Sequence, residues 1–226
     1  GRGPMAARLL PRSQGPTMLQ YLVRHGESVF NAEERVQGQA DAPLSALGER
    51  QAGTLAAWAR RLGHAVDEVW SSPLRRARDT ALPIATALDL PIHEDDDLRE
   101  LHAGIFQGHP WADLERLHPE AVALWRGGDP AYRIPGGESR ADLAARGRRA
   151  LERLAARDVG TMVVVAHGGV LTAALGSLLG GSDPLLAAAA RRPFTRLPAL
   201  ANASVSVLEW PGPRLHRFND TAHLDG

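Results

Sequence analysis

MLQYLVRHGES, residues 18–28, begins as an apolar run from Met18 to Val23 and stops abruptly at Arg24 and His25. A short run without a polar face is the pattern of a strand buried on both sides of a sheet. Such a strand delivers Arg24 and His25 at its C-terminal end, the edge where open α/β sheets bind ligands. Gly26 then permits a tight turn beside the histidine. The same layout recurs further on: Met162 to Ala166 is apolar, His167 follows, and Gly168 and Gly169 open a helical pattern whose first amides can hold an anion. A third junction leads from a short strand, Glu68 to Ser71, through Ser72 and Pro73 to Arg75, Arg76 and Arg78. Guanidinium groups on the first turn of a helix gain nothing from its dipole, so arginines there point to an anionic partner. Their planar forks match phosphate oxygens two at a time, and Arg24 with one arginine of this cluster is suited to hold a phosphoryl group against a histidine.

Around these junctions the pattern is that of an α/β chain. Helical spacing of apolar residues predicts helices over Ser45 to Leu62, with Ser45 as the cap, over Leu74 to Leu88, over Ala141 to Arg157 and over Gly168 to Leu179. Pro91 to His93 reads as a brief extended segment, and the acidic run Glu94 to Asp97 as a solvated loop. Ala203 to Trp210 and Leu215 to Phe218 flank Pro211-Gly212-Pro213 as a terminal hairpin. From Phe106 to Ser139 prolines and glycines break the pattern into two short helices, which suggests an insertion or lid. The expected architecture is a three-layer α/β sandwich with a mostly parallel central sheet, helices on both faces and the pocket at the strand C-termini. Residues 1–17 read as a flexible extension, and 18–226 as one domain with the insertion at about 106–139.

Composition narrows the function classes. With 226 residues there is room for one well-buried α/β domain. The 26 basic residues, all arginine, balance 26 acidic ones, so no net field favours nucleic acid or a membrane surface. The arginine bias itself needs no more than a GC-rich genome. Cysteine is absent, which removes disulfides, thiolate metal sites and a catalytic cysteine. No apolar run is long enough to span a bilayer, and the expected location is cytoplasmic.

The segments together resemble the histidine phosphatase superfamily, the phosphoglycerate mutase-like proteins, from Met18 to the C-terminus. Leu22-Val23-Arg24-His25-Gly26-Glu27-Ser28 is similar to that family's opening signature. Asn31, Gln37-Gly38 and Leu44-Ser45-Ala46-Leu47-Gly48 follow at the family's places. Ser71-Ser72-Pro73-Leu74-Arg75-Arg76-Ala77 resembles the block whose arginine before alanine binds phosphate, which selects Arg76 over Arg75. Leu98-Arg99-Glu100 resembles the acid-bearing segment, and Val165-Ala166-His167-Gly168-Gly169 the second-histidine segment.

The resemblance implies that His25 attacks phosphorus to form a phosphohistidine while Arg24, Arg76 and His167 stabilise the transferring oxygens. Glu100 would protonate the leaving alcohol and then deprotonate the hydrolytic water. Asn31, Gln37, Gly38, Arg78 and Gly168 are expected to touch substrate or phosphate. Arg78 has an equally good reading as a solvated helix arginine. No metal or other cofactor is expected, because the guanidinium groups and a protonated histidine would supply the positive field. Attack requires His25 neutral at its reactive nitrogen, a state that neighbouring cations favour.

After the acid, glycolytic mutases of the family carry Arg-His-Tyr-Gly, whereas this chain has Leu101-His102-Ala103-Gly104. That departure removes two expected substrate contacts and favours a phosphatase. A mutase is the second reading, and a catalytically silent binding module the reading from another class. A small phosphorylated metabolite is the expected partner: a sugar phosphate, a nucleoside phosphate such as α-ribazole phosphate, a phosphoglycerate derivative or a phosphorylated amino acid. Relatives are often dimers, which makes a homodimer an expectation. His102, His109 and His118 fall in the specificity region without a pattern that assigns them a role. Phe106, Trp111 and Trp125 suit either a pocket wall or a core, and helix capping is a sufficient reason for Ser139 and Asp142.

Overall fold

The computed structural model describes residues 17–180 and 200–225, so the expected N-terminal extension lies, apart from Thr17, outside the described residues. β1 (Met18–Arg24) leads into the single turn α1 (Val29–Ala32), then α2 (Ala46–Leu62), β2 (Glu68–Ser71), α3 (Arg75–Leu88) and β3 (Ile92–Glu94). α4 (Leu114–Leu117) and α5 (Pro119–Arg126) lie in the Pro- and Gly-rich stretch. α6 (Arg140–Ala155), β4 (Thr161–Ala166), α7 (Gly168–Leu179), β5 (Val205–Trp210) and β6 (Arg214–Asp220) complete the described elements. The six strands form one sheet in the order β3-β2-β4-β1-β5-β6. β1 to β4 run parallel, and the hairpin β5–β6 is added antiparallel to β1. Element ends differ from the sequence reading by one or two residues, as is usual where helices fray and caps begin.

The two central strands show why the sheet is covered on both sides. In β4, Met162, Val164 and Ala166 join Leu22 of β1 in a cluster with Leu151 and Leu154 of α6 and Val170, Leu171 and Leu175 of α7. The alternate residues Val163 and Val165 join Val23 in a second cluster with Leu55 and Ala59 of α2 and Ala77, Ala81 and Ile84 of α3. Period-two alternation with both phases apolar leaves no face for water. Each leucine buried in these layers contributes about 1.5–3 kcal/mol relative to an exposed one. Gln20 is the polar exception in β1, fully buried and donating from Nε2 to the Leu151 carbonyl at 2.9 Å.

The helix starts are set by the residues the sequence suggests. Ser45 Oγ accepts the Gly48 N–H at 3.1 Å at the head of α2. Ser139 and Asp142 form a reciprocal capping box at the head of α6. The 106–139 stretch folds on a small core of its own: Phe106, Leu114, Val122 and Ile134 pack with Val36 and Ala103. Phe106 and Trp125 are therefore packing residues, while Trp111 stays 56% exposed. The acidic run is solvated only in part: the Asp96 side chain is 76% exposed, whereas Asp95 is 10% exposed and paired with Arg153 of α6. Among the described residues no helix is long and apolar enough to cross a membrane.

The loop after β1 is seated by backbone contact. A methyl group at Gly48 would fall on the Glu27 carbonyl oxygen, and one at Gly26 would lie 2.7 Å from the Gly48 carbonyl oxygen. Gly48→Ala should therefore lower stability in urea unfolding by roughly 1–3 kcal/mol. Gly53→Ala, on the same helix with open space around it, should raise stability by roughly 0.5–1 kcal/mol. Equal effects of the two would show that the close approach does not constrain the loop.

Candidate active site

Strand register assembles the site. β1 and β4 pair with Arg24 opposite Ala166, so the residues just beyond, His25 and His167, leave the sheet side by side. The His25 N–H continues the ladder to the Ala166 carbonyl at 2.9 Å, and the Ser72 N–H does the same to Val165 at 2.9 Å from the other neighbour, β2. The two imidazole rings lie 5.1 Å apart between centroids, and both histidines are buried.

His25 has its tautomer imposed. Nδ1 lies 2.6 Å from the Gly26 carbonyl oxygen, which can only accept, so Nδ1 carries the hydrogen. The lone pair of the neutral ring is then at Nε2, toward which Arg76 Nε points at 3.3 Å. Burial, then the charges of Arg76 and Arg24, hold the His25 pKa well below the ordinary histidine value. Its loop is pinned through the Gly26 N–H to Thr80 Oγ1 at 3.0 Å, and through the His25 carbonyl to Ala203 N at 3.1 Å and Asn202 Nδ2 at 3.2 Å.

Arg76, on the first turn of α3, has no exposed surface. Its terminal nitrogens donate to the carbonyls of Ala40 and Gly38, each at 2.8 Å. Burial lowers its pKa to about 10, which leaves it charged at neutral pH. Three of the five guanidinium N–H groups are thus engaged, and the other two remain for an anion. Gly38 reaches Arg76 from a left-handed conformation, φ +52°, packed against Ala103, where a side chain would be strained and crowded. Arg24 donates from NH1 to the Leu200 carbonyl, and its buried Nε finds no acceptor among the described residues. Gly168 lies against that Nε, 3.3 Å from where a methyl group would sit.

His167 contacts Ser72 Oγ through Nε2 at 2.7 Å, and its Nδ1 has no partner among the described residues. Burial, then the charges of Arg76, His25 and Arg24, push its pKa well below the ordinary value. The expectation of a protonated histidine is therefore corrected: the positive field comes from the arginines, and His167 is neutral. Glu100 comes from the opposite side. Its carboxylate accepts the N–H groups of Gly169 at 2.8 Å, Val170 at 3.1 Å and Leu101 at 2.8 Å, which seats it on the first turn of α7. A methyl group at Gly169 would overlap the Glu100 carboxylate, so only glycine allows that approach.

The family model for the histidine phosphatase superfamily (branch 1) matches residues 20–221. The chain belongs to that superfamily. The chain is 39% identical over 216 residues to a probable phosphoglycerate mutase GpmB of Yersinia enterocolitica, covering 92% of this chain and 96% of the relative. Among solved structures it resembles mycobacterial glucosyl-3-phosphoglycerate phosphatase, with 33% identity, a TM-score of 0.73, and coverage of 92% and 100% of the two chains. Bacillus stearothermophilus YhfR aligns with 27% identity, a TM-score of 0.76, and coverage of 92% and 99%.

The remaining expected ligands divide. Asn31 and Gln37 gather around buried Ser28: Asn31 Oδ1 accepts from Asn202 at 3.1 Å, and Gln37 Oε1 from Ser28 Oγ at 2.7 Å. Arg78 does not join the site. It projects from α3 with its side chain 58% exposed and pairs with Glu94 at 2.8 Å, because two positions along a helix from Arg76 is the opposite face. Sequence reasoning assigned no role to Ser72, Thr80 and Asn202: Ser72 touches His167, Asn202 the His25 carbonyl, and Thr80 the N–H of Gly26 beside His25. Ser72 carried a usable signal, since it follows β2 as His167 follows β4. Thr80 carried none.

Both histidines are buried neutral, which sets a pH dependence. Below their ordinary value of 6.5 the unfolded chain takes up protons that the folded chain refuses, so stability is full above that pH and falls as pH drops toward the folded values. Each contributes a slope of up to about 1.4 kcal/mol per pH unit. Urea unfolding at pH 7.5 and 5.5 should show a smaller pH difference for His167→Asn than for the parent. An unchanged difference would mean that His167 titrates normally in the fold.

Proposed function

We propose that this member of the superfamily hydrolyses a small phosphomonoester through a phosphohistidine on His25, without a metal ion. The observation that carries the reading is the neutral His25 ring, whose Nδ1 hydrogen is held by the Gly26 carbonyl and whose Nε2 lone pair faces the buried Arg76 guanidinium. In the first step Nε2 attacks phosphorus, the bond to the ester oxygen breaks, and Glu100, as general acid, gives a proton to the departing alcohol. In the second, the Glu100 carboxylate takes a proton from water, that oxygen attacks phosphorus, and the bond to Nε2 breaks to leave phosphate and neutral His25. Arg24 and Arg76 stabilise the equatorial oxygens with preorganised charge, which needs no reorganisation during the step. A bound phosphoryl dianion would also favour protonation of His167. Gly168, Asn31, Gln37 and Gly38 shape the rim of this site.

Hydrolysis is favoured over mutase chemistry by the residues after Glu100. Leu101 is packed against two apolar clusters and Ala103 is 1% exposed, so apolar side chains stand where the mutase pattern has arginine and tyrosine. The mycobacterial phosphatase has been solved with VO3 and with inorganic phosphate, which supports a phosphoryl site in this fold. The mutase reading stays as the alternative because the Yersinia relative carries that name. The phosphoglycerate unit in both relatives' names makes phosphoglycerate and its esters the first substrates to try.

Phosphate release should be measured in EDTA over p-nitrophenyl phosphate, 3-phosphoglycerate, glucosyl-3-phosphoglycerate and phosphoserine, with phosphoglycerate interconversion measured in parallel. His25→Ala should lower release on the order of 10³-fold or more and abolish the trapped phosphoenzyme. Interconversion without release would make the protein a mutase. Silence in both would leave a binding module, and activity lost to EDTA and restored by one divalent ion would overturn the metal-free step. A second variant tests the acid. Glu100→Gln should lower kcat/KM for an alkyl phosphate far more than for p-nitrophenyl phosphate, whose phenolate leaves with little help. Equal losses would remove Glu100 from that role.

A further inference from the structure

The structure assigns Arg146 of α6, with Glu138, as the positioning pair that holds the Glu100 segment in register with α7; the assignment rests on the proposed role of Glu100. All five guanidinium N–H groups of Arg146 are used. Nε and NH2 fork onto the two Glu138 carboxylate oxygens, each at 2.9 Å. NH1 donates to the carbonyls of Asp97 at 2.8 Å and Arg99 at 2.7 Å, and NH2 to that of Glu100 at 3.3 Å. No donor remains for a substrate, so the residue acts through the backbone it holds.

Glu138 completes the frame. Its Oε2 accepts the His102 N–H at 2.8 Å, and its own N–H donates to the His102 carbonyl at 2.9 Å. The ion pair thereby grips the chain at Asp97, Arg99, Glu100 and His102, on both sides of the acid. Gln39 Nε2 adds a second donor to the Glu100 carbonyl at 3.0 Å. The pair is largely buried, with 13% and 17% of the two side chains exposed, so water does not compete for these bonds.

The far end of the same segment explains why that grip bears on chemistry. Glu100 rests its carboxylate on Gly169 and Val170 of α7, and Gly147, next to Arg146, packs on that same turn. A methyl group at Gly147 would lie 2.9 Å from Val170 Cγ2 and 3.0 Å from its carbonyl oxygen. Helix α6 therefore fixes both the backbone of Glu100 and the turn that receives its carboxylate. Gly137 and Gly104 let the two loop segments of this frame touch, since a methyl group at either would overlap the opposite backbone. Arg146 is also close enough that its charge lowers the His167 pKa. A lysine would keep that charge and lose the planar fork.

The test compares the parent protein with Arg146→Lys and Glu138→Gln on an alkyl phosphate, glycerol 2-phosphate, and on p-nitrophenyl phosphate. Displacing the acid should cut kcat/KM for the alkyl ester by about 10²-fold and for the aryl ester by less than about tenfold, with fold retained by circular dichroism. The water-activating step should slow as well, so acid-labile but base-stable phosphohistidine should accumulate with the aryl ester. If Arg146→Lys fails to fold, Glu138→Gln, which keeps the shape and one acceptor of the carboxylate, decides by the same two readouts. Equal losses on both esters without phosphohistidine build-up would overturn the inference while leaving the His25 mechanism intact. Absence of phosphohistidine in the parent protein would overturn both, because positioning would then serve no reaction.

Discussion

The parallel ladder between β1 and β4 is the constraint on which the rest depends. Side chains leave adjacent parallel strands in step, so placing Arg24 opposite Ala166 places His25 beside His167 with no further adjustment. The backbone bond from His25 to Ala166 extends that order one residue past the strand, and Ser72 repeats it from β2. A slip of one residue would turn His25 to the other face of the sheet and into the apolar layer of α6 and α7. Because both faces are packed with Val, Leu and Ile, such a slip would bury polar groups and expose apolar ones, and the register is held by the whole core.

Burying two arginines beside two histidines is electrostatically unfavourable unless the charges are satisfied and the histidines stay neutral. Carbonyls of Gly38, Ala40 and Leu200 supply part of that satisfaction, and the Glu100 carboxylate raises the pKa of both arginines from the α7 side. Compensation is incomplete among the described residues: Arg24 Nε and His167 Nδ1 lack partners. Such unpaired polar groups in a buried site are the physical form of a preorganised anion site, since an incoming phosphoryl group would meet dipoles already aligned. The same arrangement keeps the His25 ring neutral, with its lone pair at Nε2.

Much of this was legible from local patterns. Three strand ends carrying His25, Ser72 with the arginines, and His167 announced an α/β sheet and an anion, since strand periodicity and helix-dipole chemistry act over a few residues. The choice of Arg76 over Arg75 came from resemblance, and the fold gives its reason: Arg76 faces inward at the first turn of α3, while Arg75 pairs with Asp79 in solvent. Arg78 was misplaced for the converse reason, because an arginine cluster in sequence says nothing about which member the helix turns inward. Arg146 was invisible. It is one arginine among several on the polar part of α6, and its partners lie 8 to 49 positions away.

The amino-acid order by itself determined the set of strands, helices and caps, the presence of two strand-end histidines and the chemical class of the site. Those features depend on side-chain periodicity, turn residues and the intrinsic chemistry of imidazole, guanidinium and carboxylate. The tertiary structure decided the protonation and tautomer of His25, the neutrality of His167, the seat of Glu100 on α7 and the frame built by Arg146. These depend on burial and on hydrogen bonds between residues far apart in the chain, and desolvation and long-range geometry exist only once the layers have closed around the sheet.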